Sequence, residues 1–160
     1  MKKFSLIFFL AIALFASFFL SGCEEKDPNA VEKIHWDRDM CVRCVMVISD
    51  RKNAAQVINP ENGKNYKFDD IGCAVLWFEE EKIEWKDKAK IWVTDCTTGN
   101  WIDARKAFYN TVTLTPMAYG LGAHESNNSI PAGEEMLNYE QMCQRVLFIE
   151  NKKNVKSFKK

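Results

Sequence analysis

Met40-Cys41-Val42-Arg43-Cys44-Val45-Met46-Val47-Ile48-Ser49-Asp50 places two cysteines and a methionine within six residues, just ahead of a β-branched run. Alternate residues of an extended strand share a face, so a strand here presents the Cys44 thiol and the Met46 thioether side by side. Such a pair suits Cu(I), because soft polarisable sulfur selects a soft monovalent ion, whereas Zn(II) prefers thiolate and imidazole and Ca(II) or Mg(II) prefers oxygen. The same spacing fits a structural Cys41–Cys44 disulfide with Met46 as core filler, and this stretch alone leaves both readings open.

Working outward, residues 45–49 and 54–59 read as two strands joined by the polar turn Asp50-Arg51-Lys52-Asn53, a hairpin. The turn at 60–64 leads to a short strand at 66–68. A helix through 69–81 follows, with Asp69 as its cap and apolar residues around most of its circumference, the pattern of a buried helix. Cys73 falls inside that helix and reads as a small buried hydrophobe. The second half repeats the order: a strand at 91–95, a turn at 97–100, Trp101-Ile102, and an Asp103-capped helical stretch through 108. The pattern predicts an α+β fold of two related strand-strand-helix units packed into one domain. Residues 109–114 alternate as a strand ending at Thr115-Pro116, which places Met117 at a strand end or in a loop. Residues 118–133 read as a surface loop. Asn138 with Gln141 opens a last helix whose Tyr139, Met142, Cys143, Val146 and Ile149 share one face, with Cys143 in the core.

Upstream, Lys2 and Lys3 precede an apolar run from 4 to 20 and then Ser21-Gly22-Cys23. This resembles a bacterial lipoprotein signal, which is cleaved before a cysteine that is diacylated and becomes the first mature residue. The organisation expected is a signal at 1–22, a lipidated tether at 23–39, a folded domain at 40–149 and a basic tail at 150–160. Lipidation at Cys23 anchors the chain to a bacterial membrane on its periplasmic side. The signal takes two of the 22 basic residues and none of the 22 acidic ones, so the mature chain carries a charge near −2. A basic nucleic-acid binder is therefore disfavoured. Five cysteines remain beyond Cys23, an odd number in a compartment where disulfides persist, so at least one thiol is free, metal-bound or shared.

Five ordered stretches carry a family resemblance: Cys41-Val-Arg-Cys44-Val-Met46 with Ile48-Ser49-Asp50; Phe68-Asp69-Asp70-Ile71-Gly72-Cys73; Trp92-Val93-Thr94-Asp95; Thr98-Gly99-Asn100-Trp101-Ile102-Asp103-Ala104; and Thr115-Pro116-Met117-Ala118-Tyr119-Gly120. In these the chain resembles the NosL family, accessory lipoproteins of nitrous oxide reductase maturation. The resemblance implies a non-enzymatic, periplasm-facing Cu(I) chaperone that works with a membrane-associated maturation complex and supplies the reductase's tetranuclear copper cluster. It places the copper ligands at Cys44, Met46 and Met117. Val45 stands where the family usually has glycine. Cys41 and His124 are further candidate ligands, although a histidine in a loop at 118–133 is expected to be exposed, as is His35. Cys96 has no family counterpart and is assigned no role. A copper-bridged dimer is left open. Two other classes compete: a periplasmic thiol-disulfide oxidoreductase using Cys41 and Cys44, disfavoured because a β-branched run rather than a helix follows the pair, and a disulfide-stapled structural lipoprotein.

Overall fold

The structure, a computed structural model, describes residues 27–157. The signal and the lipidation cysteine Cys23 lie outside the described residues. Residues 27–30 form a turn closed by the Ala30 amide donating to the Asp27 carbonyl. A compact unit begins at Val31.

Its centre is a four-stranded antiparallel sheet of β1 (Ala55–Ile58), β2 (Asn65–Phe68), β3 (Lys90–Thr94) and β4 (Trp101–Asp103), in the spatial order β2-β1-β3-β4. The register pairs Val57 with Tyr66 on one side and with Ile91 on the other. β1 is central, and all four of its residues are buried. One face of the sheet packs Val57, Phe68, Ile91 and Val93 into a single core with helix α1 (Ile71–Glu80), whose residues 71–78 are all buried. On β1, Gln56 is fully buried and exchanges two hydrogen bonds of 2.9 Å with the backbone of Glu32, so the incoming chain laces onto the sheet there. Helix α2 (Tyr139–Ser157) packs against α1 and contributes Met142 and Val146 to the core. The Asn138 and Gln141 side chains cap each other's backbone amides, at 2.9 and 3.0 Å, as the capping-box pattern requires. A two-stranded ribbon of β5 (Phe108–Tyr109) and β6 (Ala123–His124) completes the domain.

The α+β class is as expected, and five local expectations are corrected. The strand expected at 109–114 is a strand only at Tyr109, and residues 110–114 are irregular, tied to the returning segment by the Asn110 and Thr113 amides donating to the Gly122 and Gly120 carbonyls. Residues 45–49 are not a strand paired with β1; they hold only an isolated bridge, Met40 to Val47, and β1 pairs with β2 and β3 instead. The stretch at 103–108 is one turn rather than a helix: Asp103 accepts the amides of Arg105, Lys106 and Ala107, and the chain enters β5 directly. The cap of α1 is Asp70, not Asp69, with its carboxylate accepting the Gly72 amide at 2.8 Å. Residues 118–133 are not all surface loop. Tyr119, Leu121, Ala123 and His124 are buried, because β6 pairs with β5 against the core.

Candidate metal centre

The stretch 40–47 folds as a tight loop. The Met40–Val47 bridge closes it, the Cys41 amide donates to the Met46 carbonyl at 2.8 Å, and the Val45 amide donates back to the Cys41 carbonyl at 3.0 Å. To make this return the chain passes through a left-handed conformation at Val45, φ 60°. That region is an outlier for a β-branched residue and costs a glycine nothing. Cys44 and Met46 thus flank a turn instead of sharing a strand face. The loop is fastened to the outer edge of β2 by the Val42 amide, which donates to the Lys67 carbonyl at 2.9 Å.

This docking sets the loop beside the β2–α1 junction, and four donors converge there: Cys41, Cys44, Asp69 and Cys73, whose ligand atoms all lie within 4.8 Å of one another. All three cysteines carry free thiols. Cys41 is 1% exposed, Cys73 is buried, and Cys44 is half-exposed at the mouth. The Cys44 thiol reaches the Asp69 carboxylate at 3.4 Å. The second Asp69 oxygen, Oδ2, is buried with no hydrogen-bond partner.

The three thiols are electrostatically unequal. The neighbouring Cys73 thiol stabilises the Cys41 anion and draws its pKa below the ordinary thiol value, against the opposing effect of burial. Cys73 is driven up by the same contact and by burial, and Cys44 is driven up chiefly by burial. A cation stands alongside: Arg43 makes two hydrogen bonds to Glu80, at 2.7 and 2.9 Å, reaches Glu150 at 3.3 Å, and contacts Cys73.

Met46 projects at the rim, 49% exposed, among the exposed apolar residues Met40, Val42, Val45 and Val47. Met117 is held by its backbone at the N-terminal end of α1. Its amide donates to Asp70 Oδ2 at 3.3 Å and its carbonyl accepts from Lys153 at 3.2 Å. Tyr119 packs so closely on Gly72 that a Cβ at Gly72 would overlap its ring. The Met117 segment is thereby seated on the N-terminus of the helix that carries Cys73.

Of the residues read from sequence, Cys44 and Cys41 sit in the cluster, while Met46 and Met117 border it through their backbone connections. His124 lies elsewhere. It is buried on β6 with its ring nitrogens 3.3 and 3.8 Å from the Cys96 sulfur, so the exposed loop histidine expected from sequence is a core residue paired with a thiol. His35 is exposed and bonded to Asp39. Cys143 is half-buried on α2. Two cluster members escaped the sequence reading. Cys73 looked like core filler and Asp69 like a cap. The odd cysteine count pointed toward a thiol beyond the Cys41–Cys44 pair, and in the Asp69-Asp70 doublet only one carboxylate can cap the helix.

The NosL family model matches residues 33–123, more than half of the chain. Among solved structures the fold is similar to the crystal structure of the copper chaperone NosL from Shewanella denitrificans, with a TM-score of 0.59 and 13% identity, covering 72% of this chain and 96% of that one. No curated protein matches the chain.

Proposed function

The chain belongs to the NosL family, and from that premise we propose that it is a Cu(I)-binding metallochaperone, lipid-anchored through Cys23 on the periplasmic side of a bacterial membrane, that supplies copper for the cluster of nitrous oxide reductase. The observation that carries this reading is Cys44, a half-exposed thiol at the mouth of a sulfur cluster, with half-exposed Met46 two residues on and the Met117 segment seated on the adjoining helix end. In this reading Cys44 supplies the anionic anchor, and Met46 and Met117 supply neutral thioethers. The Cu(I) complex is then neutral, which limits the cost of partial burial. Thioethers also cannot be lost to a disulfide in an oxidising compartment. A chaperone has to release its cargo, and a rim-exposed thioether is the donor a partner's sulfur replaces first. The apolar collar of Met40, Val42, Val45 and Val47 around it gives a partner in the membrane-associated maturation complex a surface to cover during the exchange.

The oxidoreductase reading fits the site less well. Its attacking thiol has to reach a protein disulfide, yet Cys41 is almost fully buried and Cys44 lies in a tight loop rather than at a helix N-terminus that would activate it.

The test is maturation in cells that produce nitrous oxide reductase with its maturation complex, with and without this chain. Reductase purified from cells lacking the chain is expected to be deficient in the copper of its tetranuclear cluster and in activity, and wild-type copper content in its absence contradicts the assignment.

A further inference from the structure

We infer that one face of α2, together with the exposed segment at 111–117, is a docking surface for an anionic phospholipid bilayer. Arg145, Phe148, Ile149 and Lys152 fall at positions i, i+3, i+4 and i+7 of the helix, which puts them on one side of it, and with Lys153 they line a shallow groove of about 500 Å³. Phe148 is 59% exposed, an unfavourable place for a phenyl ring in water, and the Lys152 ammonium lies over it at 5.2 Å. The segment at 111–117 runs beside this face because both of its ends are tied to it. Thr111 meets Glu135, which pairs with Arg145, and the Met117 carbonyl accepts from Lys153. Between the ties stand Val112 and Leu114, 65% and 90% exposed. Apolar side chains flanked by cations are the pattern of a surface that seats itself in the headgroup boundary of a membrane.

Charge and reach select the bilayer as the occupant. From Arg145 onward the sequence carries Lys152, Lys153, Lys156, Lys159 and Lys160 against the single acid Glu150, which is itself turned to Arg43 and Tyr119. Each cation held near an anionic leaflet strengthens binding roughly fivefold. The inference rests on the proposed anchor at Cys23. Eight residue steps separate it from Val31, where the compact unit begins, and even fully extended they reach at most about 28 Å, so a lipid surface stays close to the domain. Lys153 belongs to the surface and also holds Met117, so docking sets the methionine segment against the membrane, where a membrane-associated partner is met.

The experiment moves the full chain from detergent onto an excess of vesicles, either of phosphatidylcholine alone or of phosphatidylcholine mixed with phosphatidylglycerol, and reads lysine acetylation residue by residue by mass spectrometry. The expected result is several-fold slower labelling of Lys152 on the anionic vesicles than on the neutral ones, with the difference removed by high salt. Lys64 and Lys88 serve as references. Both lie at the Ile58 end of the sheet, away from the Phe68 end that leads into α1, and their labelling should not change. Leu114→Gln combined with Phe148→Gln, at two exposed positions where little packing is lost, should abolish the protection in a protein that circular dichroism shows to be folded. Equal labelling of Lys152 on the two kinds of vesicle overturns the inference. So does protection that survives the double substitution, or that extends equally to Lys64 and Lys88. Protection seen only when the maturation complex is added overturns it as well, since the surface then meets a protein. Acylation of Cys23 is read separately from the intact mass: a chain without it removes the anchor from the proposed function, while Lys152 on the anionic vesicles still decides the docking.

Discussion

Val45 turns the loop that carries both Cys44 and Met46, and it does so at φ 60°, where its branched Cβ meets the backbone. The turn that returns Met46 toward Cys41 needs a left-handed residue, a conformation glycine adopts without strain. The Val45 side chain is 63% exposed, so little packing is lost with it. Val45→Gly is therefore expected to raise stability by about 1 kcal/mol, the relief of the left-handed conformation exceeding the added freedom of glycine in the unfolded chain. Thermal unfolding followed by circular dichroism checks this, and a midpoint equal to or below wild type contradicts it. The residue scale is also where the sequence was least legible. The β-branched run at 45–48 favours a strand by local preference, and the bonds that override it, such as Val42 to Lys67, join residues far apart in the chain.

At the scale of elements, α1 is the hub. Asp70 caps it and holds the Met117 amide, Gly72 admits the Tyr119 ring, and Cys73 on the next position enters the sulfur cluster. Gly72→Ala pushes the Tyr119 ring away and with it the segment that bears Met117. Steric displacement of about 1–3 kcal/mol outweighs the gain of up to about 1 kcal/mol in helix propensity, so a lower unfolding midpoint is expected, together with weaker Cu(I) binding. A stabilised Gly72→Ala protein with unaltered copper affinity would separate the Tyr119 contact from the site. Most of these elements could be read from sequence, since β1, β3 and α1 are apolar runs bounded by turn residues and α2 opens on a capping box. The helical stretch expected after Asp103 could not, because Asp103 satisfies three amides within a single turn and Phe108 is then taken up by its pairing with His124.

At the scale of the molecule, α2 binds the two halves of the site to each other. It runs on through residues 150–157, a stretch that by composition reads as a frayed tail. Glu150 accepts from both Arg43 and Tyr119, and Lys153 donates to the Met117 carbonyl. Those side chains clamp the cysteine loop and the Met117 segment to one helix, a role visible only once the chain has folded. His124 illustrates the same limit, since a loop-like polar sequence gives no sign that β5 will draw it into the core. Sequence placed Cys41 and Cys44 together in one short stretch; what it could not supply was the convergence of Cys73 and Asp69 on that pair.

The account rests on Cys44 as the anchor of a Cu(I) site, and the most direct measurement is an anaerobic Cu(I) titration of the full chain in detergent against a chromophoric competitor, for wild type, Cys44→Ser and Met117→Leu. One Cu(I) per chain is expected for wild type. Folded Cys44→Ser should lose most of the affinity, because the serine hydroxyl offers neither charge nor a soft donor. Folded Met117→Leu should keep its stability, leucine matching the volume of methionine, yet hold copper more weakly. Wild-type affinity in folded Cys44→Ser would contradict the central claim.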